Sequence, residues 1–338
     1  MLDILPAYSI AIRTLGTAGE KFRLELESLT RQTVQPQRVV VYVADTCGVK
    51  YVDHTIGIEE YRYVRKGMVA QRALPYAEIT TPYVLLLDDD VELAADTAER
   101  LLRAATDRNA DCVGADVFRD QSLQPWMKCY AVLTNWVRPH WDHRWAHKIT
   151  RTADFAYLNN PRGEKGRGEA LYPSQKVDGP CALWRKEVIS KLRWQDELWM
   201  DRLSEFAYGD DWVESYKLHL NGGSLFMLYD AGVRYLNAKT ASSAYHHTHK
   251  KFYIRSLMTC CIWWRIIYQT TQGAEHRKAV ALFLLKLLWL LPMNVLAGLF
   301  LLDVRIPYYY LKGIGDAWRF VHSPAYAQTG PYMLDYAI

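Results

Sequence analysis

Five aspartates in two short runs carry the chemistry that this sequence offers most plainly. The stretch "YVLLLDDDVE", residues 83–92, turns abruptly from large apolar side chains to three adjacent carboxylates, Asp88, Asp89 and Asp90. Carboxylates in such a group suit a hard divalent cation, Mn²⁺ or Mg²⁺, because both favour oxygen ligands. Mg²⁺ seldom fills its shell from protein alone and takes phosphate oxygens as well, so the triplet points to a diphosphate-bearing substrate. The competing role is a solvated turn in which Asp90 or Glu92 caps a helix starting near Leu93. The second run lies in "YGDDWVESYK", residues 208–217, where Gly209 precedes Asp210 and Asp211. The spacing predicts an amphipathic helix over 211–220, with Val213, Tyr216 and Leu220 on one side. One aspartate could cap its free N–H groups while the other, held ionised at the positive helix end, serves as a general base. Both could equally be caps and nothing more.

The elements that must position these runs alternate along the first hundred residues. Ser9–Ile12 reads as a strand, Glu20–Gln32 as a helix ending near Pro36, and Arg38–Val43 as a β-branched strand covered on both faces. Tyr61–Val64 reads as a further strand, Gly67–Ala77 as a helix, and Tyr83–Leu87 as the strand that ends in the triplet. Such alternation predicts an α/β fold with a mostly parallel, Rossmann-like sheet flanked by helices, which collects ligands at the carboxyl ends of its strands. Residues 159–176 are polar, basic and glycine-rich, as in a mobile loop or lid. Its glycines follow no strand and match no dinucleotide fingerprint. Cys181–Trp184 reads as another strand.

Taken in order, these segments resemble the inverting family-2 glycosyltransferases of the GT-A fold, over roughly residues 8 to 255. "YSIAIRTLG…LESLTRQTVQPQRVVVYVAD" resembles that family's opening strand, helix and second strand; "KGMVAQRALPYAEITTPYVLLLDDDVEL" resembles its helix and DXD strand. "VDGPCALWRKEVI" resembles the acceptor-side strand, and "RWQDELWMDRLSEFAYGDDWVESYKLHLNGG" the segment with its catalytic carboxylate. The resemblance implies a nucleotide-diphosphate sugar donor, a metal and a sugar transfer that inverts the anomeric configuration. Asp45 would lie beside the nucleobase, with Arg13 and Thr14 lining the same pocket and Arg72 near the diphosphate. Asp88 and Asp90 match the outer positions of DXD, with Asp90 as direct metal ligand and Asp88 and Asp89 toward ribose, sugar or water. Asp211 matches the base, and Asp210 precedes it on the acceptor side with Trp212 and Trp184. The opening turn, Arg13-Thr-Leu-Gly16, departs from the family pattern. So does Tyr235-Leu-Asn237, where a histidine is usual; His246, His247 or His249 could reach the metal or diphosphate instead, His247 first. An ordinary polar loop fits these histidines as well.

Trp184, Trp199 and Trp212 could stack on sugar faces, and each could equally pack in the core. Trp136, Trp141 and Trp145, interleaved with His140, His143 and His147, match no defensible metal spacing and read as an irregular excursion or acceptor-recognition insert. Residues 278–303 are the chain's one long apolar segment, with Lys286 as the only charge between its flanks. That is long enough to cross a bilayer, which needs about 20 apolar residues. Lys286 and Pro292-Met-Asn294 argue against a span; a hairpin in the membrane interface or a buried helix pair are the alternatives. Arg277, Lys278, Arg305 and Lys312 would suit anionic headgroups. The expected organisation is therefore a glycosyltransferase domain over 1–255 and a membrane-associating helical region over 256–338.

The 338 residues, 50% hydrophobic and 23% charged, describe a folded chain, and a net charge of +4 without a Lys/Arg run predicts no nucleic-acid partner. Six cysteines without CxxC spacing suggest reduced, mostly buried thiols, and the N-terminus shows no secretion signal. The expected setting is the cytoplasmic face of the cell membrane, with a glycan or lipid-linked glycan acceptor. A sugar-nucleotide pyrophosphorylase would want a glycine-rich phosphate loop after the first strand, of which "RTLGTAGE" is a poor version. A catalytically silent glycan-binding scaffold would not need both acidic runs.

Overall fold

A computed structural model describes residues 5–45, 57–117, 145–157, 171–204, 208–236 and 248–338. Strands β1 (Tyr8–Thr14), β2 (Val39–Ala44), β3 (Glu59–Val64) and β4 (Tyr83–Asp88) pair in parallel in the order β3-β2-β1-β4. Helices α1 (Glu20–Thr30) and α2 (Met68–Arg72) lie in the connections. Every residue of β1 and β2 is buried, as their apolar, β-branched composition requires of strands covered on both faces. α2 is much shorter than the helix expected over 67–77. Pro75 disfavours helical backbone at the residue before it, and Tyr76 takes a left-handed φ of 46°.

The chain after β4 does not enter a helix near Leu93. Val91–Leu93 is strand β5, and α3 starts only at Thr97, running to Asp107, so Asp90 and Glu92 cap nothing. The sheet continues beyond β4 through β10 (Cys181–Arg185), β6 (Cys112–Ala115), β11 (Leu225–Leu228) and β9 (Leu171–Pro173). Of these, β10 is antiparallel to both β4 and β6, β11 is parallel to β6, and β9 is antiparallel to β11. Smaller ladders join β12 (Val233–Tyr235) to β5 and β7 (His147–Ile149) to β8 (Phe155–Tyr157).

One apolar cluster packs α1 and α3 on one face of the sheet; a second packs the segment after α2 (Ala73, Tyr76, Ile79), α4 (Lys186–Lys191) and Trp194 on the other. A third joins α5 (Trp199–Leu203) and α6 (Asp210–Leu220) to the C-terminal helices α7 (His249–Trp263), α8 (Gly273–Phe300) and α9 (Ile306–Val321). The boundary expected at 255/256 falls inside α7, which continues through a π-helical turn, Trp264–Tyr268, toward α8. The described cysteines are free, with Cys112, Cys181 and Cys261 buried and Cys260 half-buried.

Candidate active site

β1 and β4 are in register, so Arg13 lies directly beside Asp88 at the carboxyl ends of two parallel strands. The Arg13 guanidinium donates to Asp88 Oδ1 and to the Gly179 carbonyl, both at 2.8 Å. The Thr14 hydroxyl donates to Asp89, and it accepts from Gly16 N–H at 2.8 Å. Asp90 is buried and accepts from the Tyr235 hydroxyl; β12 brings that ring in by pairing Tyr235 with Val91. Each carboxylate of the triplet is therefore held by a different partner.

Charge in this corner is not balanced. Burial pushes the Asp89 carboxyl up to about 7, against its bond from Thr14 and helped by the charges of Asp88 and Asp90. Beneath it the fully buried Glu25 of α1 is held well above the usual carboxylate range by burial, then by Asp89 and Asp90. Hard oxygen donors in excess over nearby cations are the donor set a divalent ion fits. Among the described residues no three potential ligands form a ready-made cage, so an ion here would need further oxygens from substrate or water. His246 and His247 lie outside the described residues. His249 is turned elsewhere, its Nδ1 2.9 Å from Asp303 Oδ2.

Arg72 ties the two acidic runs together. Its Nε pairs with Asp210 Oδ2 at 2.6 Å and its Nη2 lies 3.7 Å from Asp88 Oδ2. Burial acts to lower its pKa, but Asp210, Asp88, Glu214 and Asp211 outweigh that and fix the charge. α2 is pinned to hold it there. Asp201 accepts from Val69 N–H at 3.1 Å and Ala70 N–H at 2.8 Å, capping the helix from another element. The Gln71 amide donates to the Thr14 and Tyr42 carbonyls at 3.0 and 3.1 Å. Gly179 completes the cradle, since a Cβ there would sit 2.5 Å from the Arg72 guanidinium.

Neither aspartate at the head of α6 caps the helix, contrary to one expectation. Gly209 occupies the cap position in a left-handed conformation, and no side chain bonds the end. Asp210 is spent on Arg72 and is buried. Asp211 remains partly exposed and lines a small, solvent-open cleft with Arg13, Arg72, Asp178, Trp184 and Glu214. Its Oδ2 lies 3.3 Å from the Lys176 ammonium, which also donates to Asp178 at 2.5 Å. Burial raises the Asp211 carboxyl, Lys176 opposes this and Asp210 adds to it. Glu214, one turn on, is buried and raised well above its ordinary value by burial.

Trp184 is buried edge-on to Trp194, with ring centroids 4.9 Å apart, and Trp212 packs edge-on to Tyr208. Trp199 is core, its indole N–H bonded to Glu197. Asp45 is exposed at the end of β2, its N–H bonded to the Val64 carbonyl. Part of the expected lid is structured: residues 171–173 are β9 and Lys176 is buried, while 158–170 lie outside the described residues.

No protein-family model and no curated protein sequence matches the chain. Solved structures do. TarS 1–349 of S. aureus in complex with UDP-GlcNAc is 13% identical with a TM-score of 0.53, covering 92% of this chain and 80% of that one. GalNAc-T7 with UDP, GalNAc and Mn²⁺ is 12% identical with a TM-score of 0.50, covering 82% of this chain. The match takes in 55% of GalNAc-T7, so this chain spans about half of it. Mannosyltransferase PcManGT of Pyrobaculum calidifontis, in complex with GDP-Man and Mn²⁺, is 12% identical with a TM-score of 0.47. The chain has the mixed α/β fold of glycosyltransferases, GT-A. At such identities the likeness establishes the fold; the chemistry rests on the site.

Proposed function

We propose that this chain is a metal-dependent, inverting glycosyltransferase of the family-2 type. It moves a sugar from a nucleotide-diphosphate donor to a hydroxyl of a glycan acceptor, lipid-linked, at the cytoplasmic face of the membrane in polysaccharide or cell-envelope glycan synthesis. The observation that carries this reading is the division of labour between the two acidic runs. The triplet gathers excess carboxylate at the carboxyl end of β4, while Asp211 stands apart on the cleft wall with Arg72 between them. The GT-A fold supports it, as do the nucleotide and sugar ligands of the TarS and GalNAc-T7 structures.

Asp211 accepts the proton of the acceptor hydroxyl as that oxygen bonds to the anomeric carbon. The bond from that carbon to the diphosphate breaks on the opposite face, and the electron pair leaves with the nucleoside diphosphate. One displacement inverts the configuration without an enzyme nucleophile. The upward shift of Asp211 makes it a better base than a solvated aspartate. Asp88 and Asp90, with diphosphate oxygens, would hold Mn²⁺ or Mg²⁺, which supplies charge neutralisation on the leaving group. Arg13 and Arg72 place positive charge on the same side. Thr14 and Asp45 are assigned to the nucleoside, Asp89 to the triplet's polar contacts, and Asp210, Trp212 and Trp184 to the acceptor side. Residues 1–255 carry the transferase site, α7 packs against that unit, and the membrane-associating part lies beyond it within 256–338.

The test is a thermal-shift and calorimetric screen of nucleoside diphosphates and nucleotide sugars with Mn²⁺, followed by transfer assays. Asp90→Ala should lose metal-dependent binding. Asp211→Asn should keep binding and lose transfer by about 10²–10⁴-fold, the usual contribution of a general base. Full transfer activity in Asp211→Asn would remove the base assignment.

A further inference from the structure

α8 is 28 residues, about 42 Å, and its most apolar 18-residue window has a mean hydropathy of 2.1 with 22% of it buried. It is therefore not the core helix of a buried pair. Its sides differ sharply. Ala279, Phe283, Lys286, Asn294 and Gly298 form a buried stripe at helical spacing. The opposite stripe holds Leu285, Leu288, Trp289, Leu296, Leu299 and Phe300, each 57–87% exposed. The turn after it adds Leu302 and Val304, and α9 adds Tyr308 and Trp318, all exposed. An apolar surface this continuous marks an interaction site.

Lys286 decides how a bilayer could be met. It stands at the midpoint of α8, faces the globular part, and is 4% exposed. Its ammonium donates to both Asp154 oxygens at 2.7 Å and to the Thr152 carbonyl at 3.2 Å. Arg151 of the same turn pairs with Glu275 at the helix start. A spanning α8 would put its midpoint at the centre of the hydrocarbon and drag this turn, with the charges of Arg151 and Asp154, in with it. A helix lying flat keeps the Lys286 stripe on the protein side and sinks only the opposite one. Leaving out Lys286, which faces the protein, residues 275–319 hold five basic and three acidic side chains, a balance suited to anionic headgroups. Arg305, Lys312 and Arg319 are well exposed beside the apolar face.

We propose that α8 and α9 form an in-plane hairpin that docks the protein on one leaflet of an anionic bilayer and does not cross it. This rests on the membrane-facing part of the reading above and needs nothing of its sugar chemistry. The hairpin face suits lipid over a protein partner because α8's exposed stripe presents almost no polar group to be satisfied; protein interfaces are typically only about 56–65% apolar.

Depth measurement tests it. Cys47, Cys129 and the half-buried Cys260 are replaced by serine in the full chain, and a nitroxide is placed in turn at Ala281, Leu285, Leu288, Leu296 and Leu299. The protein is bound to phosphatidylcholine–phosphatidylglycerol vesicles. All five positions share the exposed stripe, so the expected result is one shallow depth throughout. A maximum at 288 falling toward 281 and 299 would mean a span and overturn the proposal. Loss of flotation, with no collision with a lipid-soluble relaxant at any position, would mean a protein partner or second copy and overturn it too. As a companion, Leu288→Asp with Leu296→Asp should weaken flotation at least tenfold while leaving nucleoside-diphosphate binding intact, since both side chains are already in solvent. A chain that docks flat but binds no nucleotide sinks the transferase reading alone. One that binds nucleotide but spans sinks this one alone.

Discussion

Two regions of this molecule reverse the ordinary partition of residues, in opposite senses. Around the cleft, charge is buried: Arg13, Arg72, Asp90, Lys176, Asp178, Asp210 and Glu214 are all less than a tenth exposed. Along α8 and the turn after it, hydrocarbon faces outward, up to 92% exposed at Leu302. Buried charge and contiguous exposed apolar surface are the two departures that carry information, because the common cases need no explanation. The cleft spends folding free energy to hold groups for small polar ligands. The hairpin withholds apolar area that folding could have used. Fold stability should therefore be sensitive to the first region and nearly indifferent to the outward face of the second.

The sharpest way to break that contrast is Arg72→Ala. It leaves Asp210 buried without its partner at 2.6 Å and removes the guanidinium packed against Gly179. Breaking a buried pair by deleting one member costs about 3–5 kcal/mol. Urea denaturation should show a loss of that size, with Arg72→Lys recovering only part, since one ammonium cannot reach both Asp210 and Asp88 as the forked guanidinium does. A loss under about 1 kcal/mol would mean that the cleft charges are not structurally committed.

The next effect is a pH dependence from the same region. His147 is 2% exposed, and burial first, then the Lys176 charge, lowers its pKa from 6.5 to about 4. A depressed folded-state value contributes stability above about pH 6.5 that is lost as pH falls toward 4. The gap corresponds to about 3 kcal/mol. His147→Gln should therefore lose less stability than the parent between neutral and mildly acid pH. Equal acid sensitivity in parent and variant would show that His147 is not held neutral by the fold.

How far the sequence can be read divides along the same line. The strands are legible because runs such as Val39–Val43 and Tyr83–Leu87 carry their own period and composition, and both acidic runs fall at strand and helix ends as expected. The long-range partners are not legible. Glu25 reads as one surface-type glutamate on an amphipathic helix, and only the packing of α1 under β5 reveals it as a fully buried carboxyl. Lys176 sits at the end of a basic, glycine-rich loop that gives no hint of burial against Asp178 and Asp211. Glu214 has a usable signal, since it follows Asp211 by three residues and so shares its helix face. Gly179 is visible only as a small-residue turn; its need to be glycine comes from Arg72, more than a hundred positions away. Lys286 reads from the sequence as a mark against a span, but its partner lies in a turn that no local pattern connects to it.

Lys286 also supplies the smallest and most discriminating prediction, because it ties α8 to the globular part through Asp154. Lys286→Met keeps the helix propensity and makes α8 more apolar. If α8 lies flat on the globular part, the change strips Asp154 of its cation. Asp154 is about one-third exposed, so water takes over some of that role and the cost should be about 1–2 kcal/mol, toward the low end for bonds to charged groups. The loss should appear in chemical denaturation in the absence of vesicles, and Asp154→Asn should lose less in the Lys286→Met background than in the parent, as a double-mutant cycle requires of a direct pair. A helix whose natural state were to cross the bilayer would respond in the opposite way, since removing its one central charge favours insertion. Stability unchanged in solution, together with stronger retention in membranes, would place α8 outside the folded unit and remove the reason for treating the hairpin as part of it.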